Sequence, residues 1–223
     1  MENLRYIFLF LSFYLINMTE TAAQKTLSYL ALGDSYTIGE SLPLEDNFPH
    51  QTVDLLRKKG MSIADPEIVA KTGWTTDELM DAISKRTLKS NYDYVSLLIG
   101  VNNQYRGRDI ATYQKEFEQL LLQAIQFAGD KPQHVFVLSI PDWGATPFAE
   151  GRDRAKIASE IDHFNVANRK TAEKHKVHYI EITTGTREVK QDLSLVAEDK
   201  LHPSKKEYTR WAEKLSSAIE QTR

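Results

Sequence analysis

A serine near one end of the chain and a carboxylate and imidazole near the other could together carry out nucleophilic catalysis. Ser35 lies in the pentapeptide GDSYT, residues 33–37, directly after an apolar run over residues 27–32. Asp199 precedes His202 by three residues, so one turn of chain can bring both side chains to the same side. A serine becomes a nucleophile when an imidazole takes its proton and a carboxylate orients that imidazole. By itself the pentapeptide equally fits an ordinary turn, because turns are rich in Gly, Asp and Ser.

Two loops in the middle of the chain offer hydrogen-bond donors for the oxyanion that forms when a serine attacks an acyl carbonyl. Gly73, in residues 71–76, can present a bare backbone N–H with close approach to a ligand. Asn102, in residues 100–104, can turn its side-chain amide into the same crevice. Either residue alone would be an ordinary loop residue. Their positions after successive predicted strands favour a shared site.

The elements that must position these residues alternate between strands and helices. The strand candidates are apolar runs at residues 27–32, 67–70, 94–99, 134–140 and 177–182. The helix candidates cover residues 48–59, 76–88, 110–127, 152–175 and 204–220. Repetition of strand, helix and strand calls for parallel strands joined by crossover helices. The sequence therefore predicts an α/β fold, a three-layer α/β/α sandwich around a central parallel sheet.

The first residues carry the pattern of a secretory signal peptide. Arg5 precedes an apolar stretch over residues 6–16, and small residues at 21–23 suit a signal peptidase. We therefore expect residues 1–23 to be a signal peptide and residues 24–223 to form one domain. The expected location is the periplasm or the exterior, with an uncleaved anchor as the alternative. No later segment is apolar enough to insert in a membrane.

Charge and cysteine content exclude several classes of function. Without residues 1–23 the net charge changes from −3 to −2, which suggests no nucleic-acid partner. The chain has no cysteine, which excludes disulfides, thiolate metal sites and a cysteine nucleophile. Five histidines show no spacing typical of a metal site and are interpreted as surface or capping residues: His50, His134, His163, His175 and His178.

Taken together, these segments resemble the SGNH, or GDSL-like, hydrolase superfamily. Its four motif blocks appear in order, as GDSY at residues 33–36, Gly73, GVNN at residues 100–103 and DKLH at residues 199–202. The match spans essentially all of the chain after residue 23. The resemblance implies a flavodoxin-like sandwich.

The resemblance also implies the role of each motif residue. Ser35 would be the nucleophile, His202 the base and Asp199 its carboxylate partner. The backbone N–H groups of Ser35 and Gly73 and the side chain of Asn102 would form the oxyanion hole. The resemblance implies no metal and no organic cofactor.

The chain departs from the family pattern at two positions. Tyr36 replaces the leucine of the family name, and Asn103 stands where the family usually has an aspartate. The second change leaves the donor at Asn102 in place, so it bears on loop support or on substrate contact. Candidate pocket residues are Trp74, Asn103, Gln104 and Trp143, although the two tryptophans would equally fit the core.

These observations lead us to expect a serine ester hydrolase that works through a covalent acyl-enzyme. Motifs shared by the whole family do not identify the substrate. The polar segment after Asn102 and the lack of a long apolar lid favour short acyl esters, such as acetylated carbohydrates. A lysophospholipase or thioesterase is the alternative within the family. A non-catalytic ligand-binding module is the alternative of another class, and the oligomeric state cannot be predicted.

Overall fold

The central sheet has five parallel strands in the order β2-β1-β3-β4-β5. The structure is a computed structural model that describes residues 25–222, so the predicted signal peptide over residues 1–23 lies outside the described residues. The strands are β1 (Tyr29–Asp34), β2 (Glu67–Lys71), β3 (Tyr94–Leu98), β4 (Val135–Leu138) and β5 (His178–Ile180). All five predicted strands are present, and the predicted parallel sheet is confirmed.

The strand bounds differ from the predicted runs by one or two residues, and two of these differences have identifiable reasons. The first strand begins at Tyr29, because Leu27 bridges to Ile63 outside the sheet, and it continues to Asp34. The fourth strand ends earlier than expected, at Leu138. The backbone N–H of Ile140 donates to the side chain of Asn165 and not to a neighbouring strand.

Eight α-helices are present in the described part of the chain. They are α1 (Ser35–Ile38), α2 (Phe48–Lys58), α3 (Thr76–Ser84), α4 (Val101–Tyr105), α5 (Ile110–Phe127), α6 (Arg154–Lys174), α7 (Thr183–Thr186) and α8 (Lys205–Glu220). The five long helices lie within the predicted segments, α5 has the predicted bounds, and α3 ends at Ser84, four residues earlier than predicted. The short helices α1, α4 and α7 were not predicted, because four or five residues are too few to show a helical period.

The long helices form two groups that cover the sheet. Helix α2 packs against α8, whereas α5 packs against both α3 and α6. Every residue of β1, β3 and β4 is buried, as a sheet covered on both faces requires. The three-layer sandwich is therefore confirmed. Within residues 25–222, no helix is both long enough and apolar enough to cross a bilayer.

The register of the parallel strands brings three candidate loops to one edge of the sheet. Gly33 of β1 is level with Ala70 of β2 and with Leu98 of β3. The residues that follow these strands therefore emerge side by side. A Cβ atom at Gly33 would lie 2.4 Å from the carbonyl oxygen of Leu98, closer than real contacts allow, so only glycine fits beside the serine.

Candidate active site

Ser35 is the first residue of α1 and follows the last residue of β1 directly. The carboxylate of Asp34 caps this short helix by accepting a hydrogen bond from the backbone N–H of Tyr36 at 3.0 Å. The N–H of the first helical residue has no acceptor within its own helix. The N–H of Ser35 therefore has no partner within α1, and the residue is almost fully buried.

The side chains of Ser35, His202 and Asp199 form one hydrogen-bonded chain. The Oγ of Ser35 lies 2.9 Å from Nε2 of His202, and Nδ1 of His202 lies 2.5 Å from Oδ2 of Asp199. Because a carboxylate can only accept, Nδ1 carries the proton and Nε2 is left to accept the serine proton. The Tyr36 ring packs against the imidazole at a centroid distance of 4.9 Å.

Asp199 is held in its charged form by four hydrogen bonds. Its Oδ1 accepts from the backbone N–H groups of Leu201 and His202, each at 2.9 Å. Its Oδ2 accepts from the imidazole and, at 2.7 Å, from the hydroxyl of Ser41. Burial raises the pKa of Asp199, but these bonds outweigh burial and lower the pKa to about 2. The carboxylate therefore stays ionised next to the imidazole at neutral pH.

The two expected oxyanion donors follow the strands on either side of β1: Gly73 lies in the loop after β2, and Asn102 lies in α4 after β3. Gly73 has a φ of +84°, a left-handed backbone conformation that glycine adopts without strain. Its carbonyl accepts from the Arg106 guanidinium at 2.5 Å, which fixes the loop.

The second expected donor, Asn102, already uses its amide nitrogen in two hydrogen bonds. Its Nδ2 donates to the carbonyl of Trp74 at 3.0 Å and to Oδ2 of Asp34 at 3.3 Å. The bond to Asp34 exceeds the usual 2.7–3.2 Å range. The Asn102 amide is therefore held by one bond of ordinary length and one long bond.

A cleft of about 190 Å³ opens over the serine hydroxyl. Ser35, His202 and Asn102 lie at its polar end. Its other walls are apolar and aromatic: Tyr36, Val101, Tyr105, Trp143, Phe148 and Leu201. The arrangement can place an ester carbonyl against the hydroxyl, with the imidazole and the Asn102 amide at the same end of the cleft, whereas Gly73 is not among its lining residues.

The sequence of the chain matches the GDSL-like lipase/acylhydrolase family over residues 31–210. The chain belongs to this family, and it is an ester-bond hydrolase. The predicted resemblance is confirmed. No curated protein sequence matches the chain.

Several solved structures of esterases and lipases have the same fold as this GDSL-like hydrolase. A lipase/acylhydrolase from Enterococcus faecalis shares 18% identity at a TM-score of 0.70, with 88% of this chain and 96% of that chain covered. Axe2, an acetylxylan esterase from Geobacillus stearothermophilus, shares 19% identity at a TM-score of 0.68, with 86% of this chain and 94% of that chain covered. The psychrotrophic esterase EstA from a Pseudoalteromonas species shares 16% identity at a TM-score of 0.64, with 87% of this chain and 97% of that chain covered. Identities this low speak for the fold alone.

Only one of the four predicted pocket residues, Trp143, lines the cleft over the serine. Gln104 lies behind it and accepts from the indole N–H of Trp143 at 2.7 Å. Trp74 contributes its carbonyl to Asn102, and its side chain packs against the core.

Asn103 is buried away from the cleft. Its Oδ1 accepts from the backbone N–H of Thr76 at 3.1 Å, and its Nδ2 donates to the Thr76 hydroxyl at 2.7 Å. That hydroxyl donates in turn to Glu116. Asn103 therefore ties the start of α3 to α4. Of the two roles expected for this position, loop support and substrate contact, these contacts favour loop support.

Two residues that contact the candidate machinery were not selected from the sequence. Ser41 donates to Asp199 across a separation of 158 residues, so no local pattern could reveal it. Asp34 is the second such residue, and the sequence shows it only as a member of the serine motif. It is fully buried, and burial raises its pKa to about 7, although bonds from the Tyr36 N–H and the Asn102 amide lower it in part. The signal for Asp34 was its position between an apolar strand and the serine.

Proposed function

We propose that this GDSL-like hydrolase is a serine esterase that works through a covalent acyl-enzyme. Ser35 Oγ attacks the ester carbonyl carbon while its proton passes to Nε2 of His202. The tetrahedral intermediate then collapses, its C–O bond to the alcohol breaks, and the imidazolium gives that proton to the departing alkoxide. Asp199 stabilises the imidazolium through its bond to Nδ1.

The second half of the cycle repeats these transfers with water. His202 takes a proton from a water molecule, whose oxygen attacks the acyl carbon bound to Ser35. The bond to Oγ breaks, the acid leaves, and the proton returns to the serine. In each half the carbonyl oxygen becomes an anion, and we assign its stabilisation to the N–H groups of Ser35 and Gly73 and to the Asn102 amide.

The observation that carries this proposal is the continuous chain of hydrogen bonds from Ser35 to Asp199. Its two links measure 2.9 and 2.5 Å, within reach for proton transfer. A binding module on the same fold would have no use for a carboxylate kept ionised behind an imidazole. This argument favours a catalyst over the non-catalytic alternative.

For the substrate we propose short acyl esters, such as acetylated carbohydrates. The cleft over the serine holds about 190 Å³, below the roughly 300–1,000 Å³ of typical small-molecule pockets. Trp143 narrows it and is in turn packed by Tyr105 at 5.2 Å and Phe148 at 6.1 Å between ring centroids. A long acyl chain, as in a lysophospholipid or a fatty thioester, would have to extend out of this space.

We further propose that the enzyme is exported after cleavage near Ala23. The basic residue, apolar stretch and small residues in the first 23 positions support this proposal. N-terminal sequencing of the protein recovered from its native host would test it. A mature chain that still begins at Met1 would contradict cleavage.

Activity on p-nitrophenyl esters, from acetyl to long acyl, tests the mechanism and the chain length together. We expect Ser35→Ala and His202→Ala to lose about 10³-fold or more in kcat, as removal of triad members does. Ser216→Ala is the matched control, because Ser216 is equally buried but lies in α8 and bonds only within that helix. Full activity in Ser35→Ala would overturn the mechanism. A preference for long acyl chains would replace the short-acyl substrate with the lysophospholipase or thioesterase alternative.

A fluorophosphonate probe tests the nucleophile independently of turnover. Ser35 Oγ should form a bond to phosphorus as fluoride leaves, which adds the phosphonyl mass to the peptide containing residue 35. Labelling of a different serine, or no labelling of a folded and active protein, would contradict the assignment of Ser35.

A further inference from the structure

A second, polar cleft of about 420 Å³ lies beside the cleft over the serine. It is bordered by the end of α4 and the start of α6. Its polar lining includes Gln104, Arg152, Asp153, Lys156 and Glu160. Its volume is within the range of small-molecule sites. None of these side chains takes part in the proposed chemistry.

The two clefts share one aromatic wall. Tyr105 and Trp143 line both of them, with ring centroids 5.2 Å apart. A ligand that crosses this wall would contact both clefts at once. A substrate with its ester over Ser35 can therefore extend its other half into the polar cleft.

Hydrogen bonds hold this wall in place. The indole N–H of Trp143 donates to Oε1 of Gln104 at 2.7 Å, and Nε2 of Gln104 donates to Glu160 at 2.7 Å. Trp143 and Gln104 are both buried to more than nine tenths. A wall fixed by these two bonds, one of them buried, gives the polar cleft a defined shape before any ligand arrives.

The charges of the polar cleft compensate each other. Arg152 and Lys156 supply two positive charges, and Asp153 and Glu160 supply two negative charges. For a phosphorylated alcohol, the repulsion from the two carboxylates would offset the attraction of the two cations. A neutral polyol can use both, because a hydroxyl donates to carboxylates and accepts from guanidinium and ammonium groups.

The Tyr105 ring adds an apolar surface to these polar groups. It is 48% exposed at the edge of both clefts. A flat ring next to hydrogen-bonding groups suits a ligand with an apolar face and a polar edge. A sugar ring is such a ligand.

We propose that the polar cleft between α4 and α6 binds the alcohol half of the substrate, and that this alcohol is a neutral sugar. The proposal rests on the esterase function proposed above. The acyl group then occupies the apolar cleft over Ser35, and Arg152 and Lys156 donate hydrogen bonds to sugar hydroxyls. The released product is a sugar with one more free hydroxyl.

The test compares two acetyl esters that differ only in the alcohol: p-nitrophenyl acetate and a monoacetylated methyl glucoside. In the double variant Arg152→Ala/Lys156→Ala we expect kcat/KM for the sugar ester to fall at least tenfold more than for p-nitrophenyl acetate, because hydrogen bonds from charged donors are lost. The matched control is Lys58→Ala/Lys85→Ala. It also removes two cations, one of them from an exposed i,i+4 ion pair like that of Lys156 with Glu160, and neither residue lines the two clefts.

The outcomes separate this proposal from the esterase proposal. An equal loss on both esters, or a wild-type enzyme that cleaves p-nitrophenyl acetate but not the sugar ester, would overturn the sugar site and leave the esterase intact. Loss of lysophospholipid or acyl-CoA hydrolysis in the double variant would assign the cleft to a phosphorylated alcohol and also overturn it. If the wild-type enzyme cleaves none of these esters, the esterase proposal itself fails.

A binding measurement covers the case in which turnover is too slow to compare. The variant Ser35→Ala, titrated calorimetrically with the monoacetylated methyl glucoside, should bind at least tenfold more tightly than the same variant carrying Arg152→Ala/Lys156→Ala. Equal affinities would contradict the proposed site. Thermal melts of each variant verify that the exposed substitutions leave the fold unchanged.

Discussion

Replacing Asp34 with asparagine should make the stability of the protein less sensitive to rising pH and should weaken its catalysis. The side chain is fully buried, and its hydrogen-bond donors are uncharged: the Tyr36 N–H and the Asn102 amide. Burial raises the pKa of this carboxyl from its ordinary 3.8 to about 7. Ionised Asp34 is therefore a buried charge with no cation among these donors, and an amide of the same shape would avoid that cost.

The size of the effect follows from the difference between the folded and the unfolded pKa. Between pH 3.8 and about 7 the folded protein keeps a proton on Asp34 that the unfolded chain has lost. The free energy of unfolding thus falls as the pH rises, by about 1.4 kcal/mol per unit. The contribution of this group should fall by roughly 3 kcal/mol between about pH 5 and about pH 8. It is fully present only at pH values below 3.8.

Urea unfolding of the wild type and of Asp34→Asn at these two pH values measures the effect. All other groups titrate alike in both proteins, so the difference between their unfolding free energies should widen by roughly 3 kcal/mol in favour of the variant. Asp93→Asn is the control. Burial raises the pKa of Asp93, but bonds from Lys25 and Ser28 outweigh burial and lower it. The difference in unfolding free energy between Asp93→Asn and the wild type should therefore stay constant between these two pH values. If the difference in unfolding free energy between Asp34→Asn and the wild type also stays constant, the pKa of Asp34 is not raised in the folded protein.

The same substitution should reduce kcat for a separate reason. An amide nitrogen at the position of Oδ2 would face the amide nitrogen of Asn102 at 3.3 Å, and two donors cannot bond. Asn102 would then lose one of the contacts that orient it. We expect a loss in kcat that approaches the 10²–10³-fold cost of removing an oxyanion donor. Unchanged kcat on p-nitrophenyl acetate would mean that Asp34 does not position Asn102.

Three further substitutions test the neighbouring contacts. Asp199→Asn should lower kcat by about 10³–10⁴-fold with little change in KM, because His202 would lose its tautomer; a loss below tenfold would contradict the role of the carboxylate. Ser41→Ala removes one of the bonds that lower the pKa of Asp199, and should cost no more than about tenfold in kcat, because water can replace the hydroxyl at this exposed position. Trp143→Ala should widen the cleft and move the preferred p-nitrophenyl ester towards longer acyl chains; an unchanged chain-length profile would show that Trp143 does not limit the acyl group.

The fold could be predicted because its strands are buried on both faces. A strand such as β3 must be apolar at every position, so it stands out from the amphipathic helices on either side. The ends of the strands were then predictable to within a few residues. Parallel strands place their carboxyl ends at one edge, which is why Ser35, Gly73 and Asn102 could be grouped before the structure was known.

The orientation of neighbouring side chains could not be predicted in the same way. The sequence predicts Asn102 as an oxyanion donor and Gln104 as a pocket residue, and it leaves Asn103 open between substrate contact and loop support. They lie in the short helix α4, where each residue is rotated by about 100° from the last. Asn102 therefore faces the serine, Asn103 faces Thr76, and Gln104 faces Trp143. A five-residue helix leaves too little pattern to reveal this rotation.

Backbone strain in the described residues is concentrated around the carboxylate of Asp199. Four residues other than glycine have a left-handed φ, and two of them, Ser41 at 69° and Lys200 at 63°, adjoin this side chain. Such a conformation costs about 1–2 kcal/mol and persists only where the surroundings fix it. The carbonyl of Lys200 accepts from the backbone N–H of Phe148 at 3.0 Å. This hydrogen bond joins the loop that contains Asp199 and His202 to the aromatic wall of the cleft, so the surroundings that fix the left-handed conformation of Lys200 include that wall.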